Sequence, residues 1–300
     1  MRLPAWLAQH LAALRALLVL TVLTGLIYPL AVLGIAQIPG LKHHATGSPV
    51  HRGGTTVASA LIGQSFTGPD GKPLVQYFQT RPSAAGDGYD PTATAASNLG
   101  PESVVDTVPD PALTAAGKQD ENAKQSLLTR VCARSKAAGD LDGVDGRRPY
   151  CTTDGVGAVL GVFHRDGLTG PVTRVVSLNQ ACPAAPFLST YQGVAVQCAV
   201  YGEDYAKAVV TPIRGDAPAR PAVPADAVTA SGSGLDPDIS PAYANLQATR
   251  IAKARGADVA TIRKLIDEHT TGRALGFMGE PSVNAVQLNL ALDQKYPLHQ

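Results

Sequence analysis

A chain of 300 residues with a formal net charge of +1 and only 16% charged residues has no electrostatic basis for binding nucleic acid. Hydrophobic residues reach 45%, which excludes a disordered chain, while aromatics at 5% and frequent glycine and proline predict a loop-rich protein with a modest core.

Residues 1–15 carry Arg2 and Arg15 and form a short N-terminal segment. Ala16 to Ala36 then runs 21 residues without a charge. As a helix it would span about 31 Å, close to the hydrocarbon thickness of roughly 30 Å. Gly34-Ile-Ala36 could pass for a signal cleavage site, but signal cores run about 7–15 residues, so a retained anchor that crosses the membrane lipid once is predicted. Thr21, Gly25, Tyr28 and Val32 share a face at i, i+4, i+7 and i+11, where small residues let a second helix approach. Thr24 and Pro29 add a bend or a polar contact.

Arg2 and Arg15 before the span are balanced by Lys42 and Arg52 after it, so charge alone does not orient the chain. The cysteines do. Cys132, Cys151, Cys182 and Cys198 all lie beyond the span, with no C-x-x-C or close histidine cluster, and an even set suits an oxidising compartment. The N-terminus is therefore expected in the cytoplasm and the large domain outside. Four cysteines allow three pairings; sequence neighbours favour Cys132–Cys151 and Cys182–Cys198.

Residues 37–138 begin with a linker, Pro39 to Gly54, whose His43, His44 and His51 have no carboxylate or cysteine nearby and read as solvated, not metal-binding. Thr55–Ile62 and Leu74–Thr80 read as short strands. Gly86–Pro101 is a polar loop in which Asp87, Asp90 and Asn98 break the spacing of a calcium loop. Asp140, Asp142 and Asp145 fail as well, because Cys151 stands where the distal glutamate belongs. A helix is predicted over Asn122–Ala138. Residues 139–220 hold strand-like runs at Ala158–Phe163, Val172–Leu178 and Gly193–Tyr201 and three of the cysteines, and read as a β-rich, disulfide-stapled insertion that ends in a proline-rich linker.

Residues 221–300 open on Val228-Thr-Ala-Ser-Gly-Ser-Gly-Leu-Asp-Pro237. This is a strand end, a glycine turn and an aspartate-proline turn, followed by a helix that Ser240-Pro241 starts. Ser231, Gly232, Ser233, Gly234 and Asp236 are the candidate residues for binding a partner or a nucleotide. As a phosphate cradle the run is weak, since the glycines end before the helix and no G-x-x-x-x-G-K-[ST] occurs. A helix over Ser240–Arg255 stops at Gly256, Asp258 caps another, and Asn284–Asp293 reads as a third, although Leu288, Leu290 and Leu292 also alternate like a strand.

No G-x-S-x-G, H-E-x-x-H or EF-hand pattern is present, nor the aspartate-lysine-threonine-glycine of P-type pumps or a potassium filter sequence. No catalytic residue, metal ligand or bound cofactor is predicted. The words VTASGSGLDP and ISP are joined in order by Ser59-Ala-Leu-Ile-Gly-Gln64, Arg81-Pro-Ser83, Gly86-Asp-Gly-Tyr-Asp-Pro91, Ser97-Asn-Leu-Gly-Pro101, Leu275-Gly-Phe-Met-Gly-Glu-Pro281 and Asn289-Leu-Ala-Leu-Asp293. Over roughly 11–138 and 221–293 the chain thus resembles the C-subunit family of bacterial Kdp potassium-transporting P-type ATPases. Residues 139–220 have no counterpart in that family's common form.

The resemblance implies an α+β fold: one transmembrane helix, then an extracytoplasmic domain carrying the insertion. It implies a non-catalytic accessory subunit of an ATP-driven, high-affinity potassium uptake complex. Its partners would be a channel-like potassium-binding subunit and a P-type ATPase subunit that holds the ATP, whose ATP affinity it raises. Direct nucleotide contact, also proposed for the family, fits poorly with a domain outside the cytoplasm. The rival reading is a membrane-anchored extracytoplasmic binding protein or hydrolase, which would need a site constellation. A secreted protein cleaved near Gln37 is a third.

Overall fold

The computed structural model describes residues 4–86, 88–95 and 99–298. Arg2, Asp87, Ser97 and Asn98, named above, lie outside them. The chain forms two compact units, Met1–Leu61 and Ile62–Gln300.

The first unit is dominated by one apolar helix, Ala5–Ala36, of 32 residues, long and apolar enough to cross a membrane. It starts well before Ala16, because Arg15 ends the uncharged run without disfavouring helix. Three pieces compose it: α1 (Ala5–Val22), a π turn (Leu23–Ile27) and α2 (Tyr28–Ala36). Pro29 explains the π turn. It has no N–H for the carbonyl of Gly25 and its ring crowds that oxygen, so the ladder slips and Tyr28 N–H donates to Leu23 O, five residues back. A one-turn helix α3 (Lys42–Ala45) and an antiparallel hairpin of β1 (Pro49–Arg52) and β2 (Thr55–Ser59) complete the unit.

The second unit is a mixed α+β structure. A short α4 (Pro111–Ala115) is followed by α5 (Leu127–Asp142), which Ser126 caps by accepting from Thr129 N–H. Next come β3 (Val159–His164), β4 (Val172–Ala181), β5 (Thr190–Tyr191), β6 (Val194–Ala199) and β7 (Val209–Pro212). They form a five-stranded sheet in the order β5-β6-β4-β3-β7, antiparallel apart from the β4–β6 pair. The strands β8 (Asp238–Ile239), β9 (Thr270–Thr271) and β10 (Ser282–Asn284) make a small antiparallel sheet in the order β8-β10-β9. Around it lie α6 (Pro241–Arg255), α7 (Val259–Glu268) and α8 (Ala285–Lys295). Ser240 and Asp258 cap α6 and α7 as read from the sequence and α6 stops at Gly256, while Asn284 caps α8 in the same way, each accepting a first-turn N–H.

One core unites α6, α7 and α8 with Phe78, Val228, Ile239 and Val283. The large sheet builds two smaller clusters. Val159, Val176 and Leu178 pack on one face with Leu128, Val104 and Val108; Leu160, Val162 and Val175 pack on the other. Successive residues of β3 and β4 point to opposite faces, and both faces are covered.

Two expectations are corrected. Leu74–Thr80 forms no strand, because its backbone is satisfied by side-chain amides. Asn289, 2% exposed, accepts from Phe78 N–H at 2.8 Å and donates to Phe78 O at 2.9 Å. Gln247 does the same for Gln79, at 2.7 and 3.1 Å. Leu74–Tyr77 is a turn, with Tyr77 N–H donating to Leu74 O at 3.1 Å, and the partners of Phe78 and Gln79 beyond it are α8 and α6.

The second correction concerns the start of the insertion. The helix expected to stop at Ala138 runs on to Asp142, whose carboxylate enters the main core to meet Arg250 at 2.7 Å. The sheet is also stitched to what precedes it: Asn179 accepts from Asp106 N–H and donates to Val104 O, both at 2.8 Å.

The cysteines come together as Cys132–Cys151 and Cys182–Cys198, with Cα separations of 5.4 and 5.1 Å. The first bridge ties α5 to the segment before β3, and the second closes the β4–β6 connection. Peptide mapping without reduction should recover these two pairs alone. Replacing either pair with serine should cost about 3 kcal/mol of unfolding free energy, since each bridge closes a loop of fewer than twenty residues. Free thiols at all four positions would refute the pairing.

Candidate functional site

The glycine run folds as a clasp against the segment that follows Arg81. Ser231 pairs with Ser83 as an isolated parallel bridge: Ser231 N–H donates to Pro82 O and Ala84 N–H to Ser231 O, both at 2.8 Å. Ala95 N–H then reaches Gly232 O at 2.8 Å, Tyr89 N–H reaches Ser233 O at 3.0 Å, and Gly63 N–H reaches Leu235 O at 2.8 Å. Contacts this close require the absence of side chains. A Cβ on Gly234, at φ +71°, would stand 3.0 Å from both Gly88 Cα and Ser83 Cβ.

The five residues singled out in the sequence are occupied within this clasp. Ser231 Oγ accepts from Gly234 N–H at 2.8 Å. Ser233 Oγ accepts from Leu235 N–H at 3.4 Å. Asp236 pairs with Arg81 at 2.7 Å and accepts from Asp238 N–H at 3.1 Å. Behind the clasp Thr80 Oγ1 and the Tyr89 hydroxyl are bonded, and burial pushes the Tyr89 phenol above its ordinary pKa, the Thr80 bond opposing it. Asp238 is also raised, first by burial and then by Asp236, with a hydrogen bond from Asn284 opposing.

Gly232 is the most exposed of the five. It lines a cleft of about 510 Å³ with Thr94, Thr229 and two arginines of α5, Arg130 and Arg134. Arg134 donates to Val228 O at 3.1 Å; burial and the neighbouring Arg130 both lower its pKa. No histidine, cysteine or carboxylate lines the cleft among the described residues. Its two guanidinium groups can accept a polar or anionic group by charge.

Arg81 and Tyr89 stand in the sequence only as members of family words, and Arg130 and Arg134 only as like charges at i and i+4 on a helix, a pair that costs stability unless something uses it. Asp140, Asp142 and Asp145 do not converge: they pair with Lys136, Arg250 and Arg147 respectively. Among the described residues no three histidines, cysteines or carboxylates form a metal-binding group.

On the apolar helix the π turn changes the phase of the expected face. Thr21 and Gly25 remain neighbours, and a Cβ on Gly25 would meet only Thr21 Cγ2, at 3.9 Å. Tyr28 and Val32 follow the extra residue of the π turn, which rotates them by roughly one α-helical residue, about 100°, from the Thr21–Gly25 line.

Comparison with known proteins places the whole arrangement. The sequence model of KdpC, the K+-transporting ATPase c chain, matches residues 10–136 and 192–294. These blocks contain most of the apolar helix, both halves of the clasp, and α6 to α8 but for its last residue. The unmatched stretch, 137–191, lies largely within the expected insertion but closes before Arg220. The chain is similar to the potassium-transporting ATPase KdpC subunit of Rhodospirillum rubrum, 36% identical over 93% of this chain and 92% of that one. It is 34% identical to that of Mycobacterium tuberculosis H37Rv, over 95% and 98% of the two chains. For Kineococcus radiotolerans the figures are 35%, 97% and 96%. These alignments run nearly end to end in both partners. With the clasp and most of the apolar and C-terminal helices inside the matched blocks, the chain belongs to the KdpC family, the c chain of K+-transporting ATPases.

Proposed function

We infer that this chain is the single-span accessory subunit of an ATP-driven potassium uptake complex. In this reading it joins a channel-like potassium-binding subunit and a P-type ATPase subunit, with its N-terminus cytoplasmic and its larger unit outside. The observation that carries the reading is that the family match takes in the clasp and most of the apolar helix. Two cysteine pairs in the larger unit favour an oxidising compartment. In this reading the chain itself is non-catalytic. Influence on the catalytic subunit's ATP affinity is then transmitted through the complex, because ATP is cytoplasmic and the glycine run is engaged internally. Residues 139–220 act as a satellite of the same unit.

The open notch at Thr21–Gly25 is the point on the span where a partner helix would seat. The full complex, expressed with an affinity tag on this chain and extracted in mild detergent, should yield a P-type ATPase subunit and a multi-span subunit with it. Gly25→Leu should lower that yield, since the leucine holds helices apart at a cost of about 1–2 kcal/mol, without altering the unfolding of the larger unit. Recovery of the wild-type chain alone would overturn the reading.

A further inference from the structure

The connection between β9 and β10 bears three large apolar side chains that none of the described residues covers. Leu275 is 82% exposed, Phe277 70% and Met278 53%. A mobile loop could hide such residues by collapse, but this one is built to hold them out. Ala274 N–H donates to Met278 O at 2.8 Å and Met278 N–H to Ala274 O at 2.9 Å, closing a tight tip. Arg273 and Glu280 clamp its neck at 2.6 Å. Below the neck β10 pairs with β9 and with β8, and Val283 is fully buried in the main core. Leu275 itself has φ +53°, a conformation unfavourable for a branched apolar residue. Exposure and backbone strain coincide, therefore, on a rigidly rooted element.

We propose that the Arg273–Glu280 tip is a docking knob whose Leu275 and Phe277 insert into an apolar pocket on the extramembrane surface of another subunit of the potassium pump. The inference rests on the accessory-subunit reading above and adds the surface that makes the contact. Three considerations select a protein socket over the other occupants. The neck pair is charge-neutral and the tip has no lysine, so the electrostatic attraction that holds a loop at an anionic lipid surface is missing. Three side chains offer a few hundred Å², well short of the roughly 1,200–2,000 Å² of a stable interface, so the tip cannot sustain a dimer of this chain by itself. It suits one anchor within a larger contact, where a rigid aromatic and an adaptable methionine enter a pocket.

The test uses the complete pump in membranes. Leu275→Asn with Phe277→Ser removes the apolar surface while asparagine tolerates the positive φ at 275. Co-purification of the other subunits with this variant should fall at least about ten-fold, the loss expected for one interface anchor, while its thermal unfolding in detergent stays at the wild-type temperature. Separately, Phe277→benzoylphenylalanine should, on irradiation, form an adduct with another pump subunit. An adduct with lipid only, with a second copy of this chain, or with nothing overturns the proposal, as does undiminished co-purification. If the wild-type chain brings no pump subunit with it, the accessory-subunit reading has failed. If wild type and variant bring them equally, only the docking knob has.

Discussion

Replacing Arg250 with leucine should lower the stability of the larger unit by about 3–5 kcal/mol at pH 7, the usual cost of orphaning a buried charge. Arg250 Nε lies 2.7 Å from Asp142 Oδ1, with the two side chains only 7% and 1% exposed. The same guanidinium donates to Tyr77 O at 3.0 Å and to Gln247 Oε1 at 2.7 Å, so it joins α5, α6 and the Leu74–Thr80 segment at one point. Burial pushes the Asp142 carboxyl above its ordinary pKa, and Arg250 opposes that push. Leucine removes the opposition, so the folded-state pKa climbs further above the unfolded value of about 3.9. A group raised in this way contributes its full stability below the unfolded pKa and loses it as pH rises through the folded one. The variant's deficit should accordingly be widest at neutral pH and narrow towards pH 4. Urea unfolding of the detergent-solubilised full chain, followed by circular dichroism at both pH values, measures it. Adding Asp142→Asn should restore at least half of the loss at pH 7, because the stranded charge is gone. A small or pH-independent deficit would mean that the pair does not hold these elements together. Excision of residues 139–220, the boundary suggested by the sequence, removes Asp142 as well and should carry the same penalty.

The parts of the fold that the sequence disclosed are those fixed by neighbours in the chain. Ser240-Pro241 and Asp258 announce helix starts because a cap is a contact of two or three residues. The strands β3, β4 and β6 follow from apolar runs bounded by turns, and the cysteine pairs from their spacing. What stayed hidden depends on partners far away. Leu74–Thr80 has the composition of a strand, and nothing local says that Gln247 and Asn289 will take the place of a neighbouring strand. The glycine run was conspicuous, but its purpose was not, since the loop it accommodates begins some 150 residues earlier, with Arg81 reaching Asp236. The Leu275-Gly-Phe-Met tip was legible only as a family word; its exposure is a property of the finished hairpin.

Gly234→Val should unfold or severely destabilise the larger unit, by about 3 kcal/mol or more, whereas Gly232→Ala should cost less than about 1 kcal/mol. The sequence treats the two glycines alike; the structure does not. Gly234 sits at φ +71°, where a β-branched residue is strongly disfavoured, and its added Cβ would press at 3.0 Å on Gly88 Cα and Ser83 Cβ. Backbone on one side and a hydrogen-bonded serine on the other leave no flexible end to give way, so the clasp must part. Parting breaks the bonds from Tyr89 N–H to Ser233 O and from Ala84 N–H to Ser231 O, leaving amides and carbonyls unpaired. Gly232 lies outside the left-handed region, and its added Cβ would approach Ala95 O no closer than 3.4 Å, an ordinary contact. Thermal unfolding of both variants in detergent, beside their recovery with the other pump subunits, separates the possibilities. Loss of fold and of assembly together in Gly234→Val, with Gly232→Ala near wild type, is the result expected of a structural clasp. A Gly234→Val chain that folds and assembles normally but no longer raises the pump's ATP affinity would assign the run to nucleotide after all. Similar damage from both substitutions would show that the loop's open side at Gly232 faces a partner as closely packed as the one Gly234 meets within the chain.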